Sequence, residues 1–392
     1  METESIPVPT SAESEFNAAQ VVTIASGHFI HDVYTAFVAP LLPLIIEKLS
    51  LSLTMAGSLT AIMQFPAVLN PFLGYLADKV SLRYFVILAP AVTATLISSM
   101  GFAPSYFSLA VILFVTGISV AAFHAPAPAM IAEVSKKKVG LGMSLFMAGG
   151  ELGRTVGPIL AVWAVTTWTL DGFYRIMALG WFASFILFLR LHNLSARPAQ
   201  AGSLRTIFPL LRSLFLPLAF ITLFRNFLMV SLSVYLPTYM NQSGASLWIA
   251  GGSLSVLELA GVAGALLSGT LSDHLGRKPV LLAATLGSSL VMLAFLNVSG
   301  WLIVPVLLAL GFTALSTTPV LLAVVQEHTP KNRAVGNGIF MLINFAMQFI
   351  AVLTVGSLGD RFGLHSAYFL SALITLLSIP PILALPNYQA SA

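Results

Sequence analysis

Four side chains at helical spacing, His28, His31, Asp32 and Thr35, form a polar stripe on an otherwise apolar stretch. They recur at i, i+3, i+4 and i+7, so a helix puts them on one face, which must meet protein or water. A carboxylate beside two imidazoles is the chemistry of a proton site, because imidazole changes charge near neutral pH. Protonated histidines there would also attract an anion. The bland alternative is a stripe that only hydrogen-bonds neighbouring helices.

Glu151 and Arg154 make a second group at i, i+3, with Ser144 and Met147 on the same face. They are either an internal salt bridge that makes both charges tolerable, or a switch in which protonating Glu151 frees Arg154 for an anion. Arg225 has no acid one turn away; Thr222, Asn226, Met229 and Ser233 share its face. Its counter-charge must come from another helix or from a substrate, and Glu258, beside Ser255, is the nearest candidate in the sequence. Proton coupling is therefore expected at Asp32, Glu151 and Glu258. Substrate contacts are expected at His28, His31, Arg154, Arg225 and Asn226. Gln64, His124, Asn344 and Gln348 are weaker candidates, because a single amide or imidazole in a helix more often bridges two helices than touches a ligand.

The elements that position these residues follow from composition. Of the 392 residues 57% are hydrophobic and 8% charged, against roughly 25% charged in soluble domains, so the chain is an integral membrane protein. A helix needs about 20 apolar residues to cross the hydrocarbon core. Such runs occur near 20–47, 54–78, 83–101, 105–134, 139–167 and 173–194, then 213–240, 247–273, 279–298, 301–327, 332–358 and 363–385. The expected fold is all-α, with twelve transmembrane helices in two six-helix bundles, 20–194 and 213–386. A polar linker at 195–212 joins them, and short tails, 1–19 and 387–392, flank them. The first tail carries Glu2, Glu4, Glu13 and Glu15 without Lys or Arg, which is not the pattern of a cleaved signal peptide, and it reads as disordered. An ionised side chain at mid-bilayer costs roughly 2.5–3.5 kcal/mol on insertion scales, so the five within these runs, Asp32, Glu151, Arg154, Arg225 and Glu258, are functional candidates by default.

The halves repeat. Gly74, Leu76, Asp78 and Arg83 form a degenerate copy of the turn Gly269–Leu281, 195 residues earlier. Glu133 matches Glu327, and Gly140-x-Gly142 matches Gly336-x-Gly338, in nearly the same register. With six spans per half, the copies are parallel about an axis along the membrane normal. Thirteen Lys and Arg fall on the side of the even-numbered turns and three on the other, which places both termini in the cytoplasm. Within the complete turn, Gly269 suits close helix contact, Asp273 ends one helix and Gly276 supplies the bend. Arg277 and Lys278 stay in water, and Pro279 suits the first turn of the next helix.

These residues resemble the major facilitator superfamily of secondary transporters over essentially the whole chain. The turn Gly269–Lys278 looks like that superfamily's loop signature, with Ser81 replacing the second glycine in the earlier copy. Several stretches are similar to the fosmidomycin-resistance family of drug exporters. They are Gly27-His-Phe-Ile-His-Asp32 leading to Ala39-Pro-Leu-Leu-Pro43, Phe123-His124, Gly149-Gly150 ahead of Gly157-Pro158, and Arg225-Asn226 ahead of Tyr235-Leu-Pro-Thr-Tyr239. His31 stands where the resemblance leads one to expect Asn, and Ala125 follows His124 where Pro is expected. Gly153-x-x-x-Gly157-Pro158 resembles an antiporter motif, although plain helix packing explains its spacing equally well. The resemblance implies alternating access, with gating roles for Asp78, Arg83, Gly153, Gly157, Pro158, Gly269, Asp273, Gly276 and Arg277.

Export of a small anionic or amphipathic compound by proton antiport is the first expectation, and proton-coupled uptake of an organic anion the alternative. A membrane receptor on the same scaffold is the remaining class. No His-Glu-x-x-His, Gly-x-Ser-x-Gly or Gly-x-x-x-x-Gly-Lys-Ser/Thr pattern occurs, so no enzymatic activity, cofactor or metal site is expected. The partners expected are a small-molecule substrate, protons and the lipid of a cell inner membrane. Nucleic acid is not among them, because basic residues are scattered between apolar runs. A monomer is expected.

Overall fold

The structure is a computed structural model, describing residues 16–70, 73, 82–194, 211–329 and 333–386. The expected linker except for its last two residues, most of the N-terminal tail, the C-terminal tail and Asp78 lie outside the described residues.

Lipid offers no partner to a backbone N–H or C=O, so each apolar run closes its own hydrogen bonds as a helix. The described residues form twelve spans. The first bundle holds α1 (Ala18–Leu49), α2 (Leu53–Leu69), α3 (Arg83–Phe102), α4 (Tyr106–Ser135), α5 (Val139–Trp168) and α6 (Phe173–Leu191). The second holds α7 (Leu211–Ser233, continued by Leu236–Gln242), α8 (Leu247–Leu275), α9 (Arg277–Phe295) and α10 (Gly300–His328). One long helical stretch, Arg333–Leu376, is broken by Gly363 at φ 79° into α11 (333–362) and α12, which runs on to Ala384. Ser52 and Ser246 cap α2 and α8 by accepting from Met55 N and Ile249 N, while Ser105 and Ser108 form a capping box on α4.

Four spans are interrupted near their middles, and they occupy equivalent places in the two halves: α1 after Thr35, α4 after His124, α7 after Ser233 and α10 after Leu315. Pro40, Pro128, Pro237 and Pro319 explain them. Each lacks the N–H that would bond the carbonyl at the break, respectively that of Ala36, His124, Ser233 and Leu315. Pro158 acts differently, because α5 continues through it as one helix.

The bundles meet through α2 with α11, α5 with α8, and the end of α1 with the end of α7. At the membrane end away from the charged turns this contact is tight. Tyr235 donates to the carbonyls of Leu53 (3.0 Å) and Val352 (3.2 Å), and its ring lies in an apolar cluster with Leu53, Ala61 and Val355. Asp360 accepts from Leu53 N (2.6 Å), Thr54 N (3.0 Å) and Thr54 Oγ1 (2.6 Å), capping α2 from the opposite bundle. A Cβ on Gly356 would stand 2.7 Å from Thr54 Cα, so only glycine admits this approach.

At the charged end, several ion pairs and side-chain hydrogen bonds lie within one bundle. Arg277 binds Asp273 (2.6 Å) and Glu327 (2.5 Å). Lys136 binds Glu133 at 2.9 Å, and Arg83 donates to Leu194 O at 3.2 Å. Among the described residues, no atom lies within 4 Å of the place a Cβ on Gly269 would take. The expected pairing of Gly140-x-Gly142 with Gly336-x-Gly338 is shifted by two: Gly142 packs against Ser135 as Gly336 packs against Thr329, whereas no described atom lies within 4 Å of a Cβ on Gly140 or Gly338.

Candidate functional site

The α5 glycines seat the polar stripe of α1. A Cβ on Gly153 would lie 2.5 Å from Phe29 O and 3.1 Å from Asp32 Cβ. One on Gly150 would lie 2.4 Å from the His28 ring, and one on Gly157 would lie 2.7 Å from Val33 O. The ridge therefore does what its spacing alone implied, close packing, and its partner is the stripe itself.

Around buried Asp32 stand three imidazoles, one more than helical spacing on α1 supplies. His28 Nε2 is 3.3 Å from Oδ2, His31 Nδ1 is 3.1 Å from Oδ1, and His124 Nε2 reaches Oδ1 at 3.5 Å from α4. The interruption of α4 just after His124 leaves that ring at the turn facing α1. Phe146 stacks on His28 and Phe123 on His31, with centroids 4.0 and 4.4 Å apart, forming the apolar walls. Thr35, the last member of the stripe, turns instead to its own helix and donates to Asp32 O.

A second group joins the bundles. Arg154 donates through Nη2 to Glu151 and places Nε 3.9 Å from Glu258 Oε2 on α8. Glu258, the sequence's nearest acid for Arg225, thus faces Arg154. One guanidinium lies between two carboxylates, and the group carries one negative charge in excess when all three are ionised.

The third group lies in the second bundle. Buried Arg225 donates through Nη2 to Thr318 Oγ1 at 2.6 Å, its Nε has no hydrogen-bond partner, and no acid among the described residues pairs with it. Asn226 donates to Asn344, to O at 3.3 Å and to Oδ1 at 3.4 Å, which ties α7 to α11. The repeat explains the location. Arg225, Asn226 and Thr318 follow His31, Asp32 and His124 by the same 194 residues, so equivalent places carry a carboxylate with imidazoles in one bundle and a bare guanidinium in the other. Gln64 and Gln348 line a cavity of about 270 Å³ between α2 and α11, together with Thr60, Phe65, Phe345 and Phe349.

Sequence reasoning missed Thr318 and Asp360. The signal for Asp360 was present: Gly356-x-x-x-Asp360-x-x-Gly363 has the spacing of Gly269-x-x-x-Asp273-x-x-Gly276, and both second glycines take a positive φ, 79° and 91°.

Two parallel six-helix bundles with charged groups at their midline define a multi-pass membrane transporter. The model of the Major Facilitator Superfamily matches residues 24–352 and 254–391, and the chain belongs to that family. It is 24% identical over 383 residues to the fosmidomycin resistance protein of Escherichia coli (strain K12), covering 94% of this chain and 93% of that protein. It is 23% identical over 370 residues to the multi-drug resistance efflux pump PmrA of Streptococcus pneumoniae, covering 90% and 92%. Among solved structures it resembles a D-xylose-proton symporter with a TM-score of 0.77, at 16% identity and covering 96% and 99% of the two chains, a likeness of fold. Members of this family are transporters of small molecules and not enzymes.

Proposed function

We propose that the chain exports a small anionic or amphipathic organic compound across the inner membrane in exchange for protons, as a monomer with both termini in the cytoplasm. The observation that carries this reading is the Glu151–Arg154–Glu258 group spanning α5 and α8. Rocking one bundle against the other must stretch or break the contact with Glu258. A proton taken up by one of its two carboxylates removes the surplus charge and loosens that hold, so proton binding and bundle movement are linked. Asp32, already ringed by imidazoles, stands apart from this pair. Arg225, without an acidic partner, is the anion ligand, flanked by Asn226, Asn344 and Thr318. With the basic turns on the cytoplasmic side, the end closed by Tyr235 and Asp360 is the extracellular one.

The likeness to a drug-resistance protein and an efflux pump supports export over uptake. The test is proton flux in proteoliposomes, read by an internal pH dye while a panel of organic anions is added on one side. Antiport moves protons against the direction of the compound. Glu258→Gln should abolish compound-driven flux while binding persists. Wild-type flux in both Glu258→Gln and Glu151→Gln would refute the coupling.

A further inference from the structure

We propose that His28, Asp32 and His124 bind one divalent transition-metal ion of the Zn²⁺ type inside the first bundle. His28 Nδ1 lies 2.7 Å from Phe146 O and His124 Nδ1 lies 3.0 Å from Val120 O, and a carbonyl accepts only, so both Nδ1 atoms carry the proton. The lone pairs of the neutral rings are then on Nε2. Those two Nε2 atoms face each other at 3.2 Å, and the Asp32 carboxylate reaches both, with Oδ2 3.3 Å from His28 Nε2 and Oδ1 3.5 Å from His124 Nε2. Three acceptors turned on one point repel one another unless a cation stands between them.

The spacing is that of a coordination shell. Ligands 2.0–2.1 Å from a tetrahedral ion lie about 3.3 Å apart; the two Nε2 atoms lie 3.2 Å apart, and one donor atom from each of the three residues can be taken with all separations within 4.8 Å, so a small turn of the carboxylate completes the shell. Metal-binding histidines characteristically donate their other N–H to a backbone carbonyl or carboxylate, as both do here. His31 is a positioning residue: its Nδ1 meets Asp32 Oδ1, and its Nε2 faces Thr93 Oγ1, whose own proton goes to Ser119. Two imidazoles and one carboxylate favour Zn²⁺, Co²⁺ or Ni²⁺ over Mg²⁺ or Ca²⁺. The His124 side chain, 34% exposed, leaves a route in and a fourth position for water.

The experiment uses tag-free full-length protein in detergent, titrated with Co²⁺ and followed by its visible absorption. One Co²⁺ per chain is expected, displaced by Zn²⁺ and not by Mg²⁺. His124→Gln and His28→Gln should each weaken binding at least ~100-fold, and His31→Gln about 10–100-fold as for second-sphere partners of metal ligands. His274→Gln, in the last turn of α8, should bind as the wild type does. Zn²⁺ should raise the melting temperature of the wild type and not of His124→Gln. Folded wild-type protein that takes up no stoichiometric Co²⁺, with the acceptors bridged by a proton alone, overturns the proposal. So does a folded His28→Gln/His124→Gln double variant that still binds.

Discussion

Replacing Asp360 by Asn should unlatch the closed end of the molecule. Asp360 accepts three hydrogen bonds from the first turn of α2, and its charge also meets the positive end of that helix. A hydrogen bond to a charged group contributes about 1.5–3 kcal/mol when buried. Asp360 is solvent-exposed, so water recovers much of each bond on opening, and the amide keeps one carbonyl acceptor. A net loss of about 1–2 kcal/mol remains, which is about a 5–30-fold shift in the ratio of closed to open molecules. The chain has no cysteine, so a pair introduced at exposed Ser105 and Ser243, one in each bundle at this end, can carry spin labels without background. Wild type should give one short distance, and Asp360→Asn should add a longer population. Thr54→Val, which removes a single hydroxyl bond, should do so to a smaller degree. Identical distance distributions in wild type and Asp360→Asn would refute the latch.

Four further outcomes are expected. Gly153→Ala pushes a methyl to within 2.5 Å of Phe29 O and should cost about 1–3 kcal/mol of stability, read as a lower melting temperature; an unchanged melt would mean that α5 and α1 are not held this closely. Arg225→Ala should weaken binding of anionic compounds more than tenfold and of neutral ones hardly at all, by calorimetry; equal losses would assign it a structural role. Tyr235→Phe leaves two buried carbonyls short of a donor and should likewise populate the longer Ser105–Ser243 distance, whereas an unchanged distribution would leave its hydroxyl without a closing role. Single cysteines at Ser105 and Ser243 should label from outside intact cells only, and one at exposed Lys136 only after permeabilisation; the reverse pattern would invert the orientation.

The twelve spans were legible because lipid leaves a hydrophobic run one choice, so counting such runs counts helices. The stripe on α1 was legible for a related reason: periodicity reports which residues share a face of one helix. It does not report which helix lies opposite. Glu258 was matched to Arg225 by proximity in sequence, and packing set it against Arg154 instead. His124 looked like an isolated imidazole, since nothing near it on α4 is acidic, and only the seating of α1 against α4 brings it to Asp32. The glycine ridge could be read as a contact surface, but its partner could not. Asp360 was hidden by its place at a turn, where an acid ordinarily signals nothing beyond water.

The twin motifs at opposite ends of the protein have a consequence for leakage. Around Asp360 the motif grips the other bundle, whereas around Asp273 the described contact is with Arg277 of the same bundle. A membrane that stores a gradient can afford one unlocked door at a time. If both motifs let go together, the molecule would be a pore. One mould at both ends gives each end the same kind of acid and glycine bend with which to hold the other bundle.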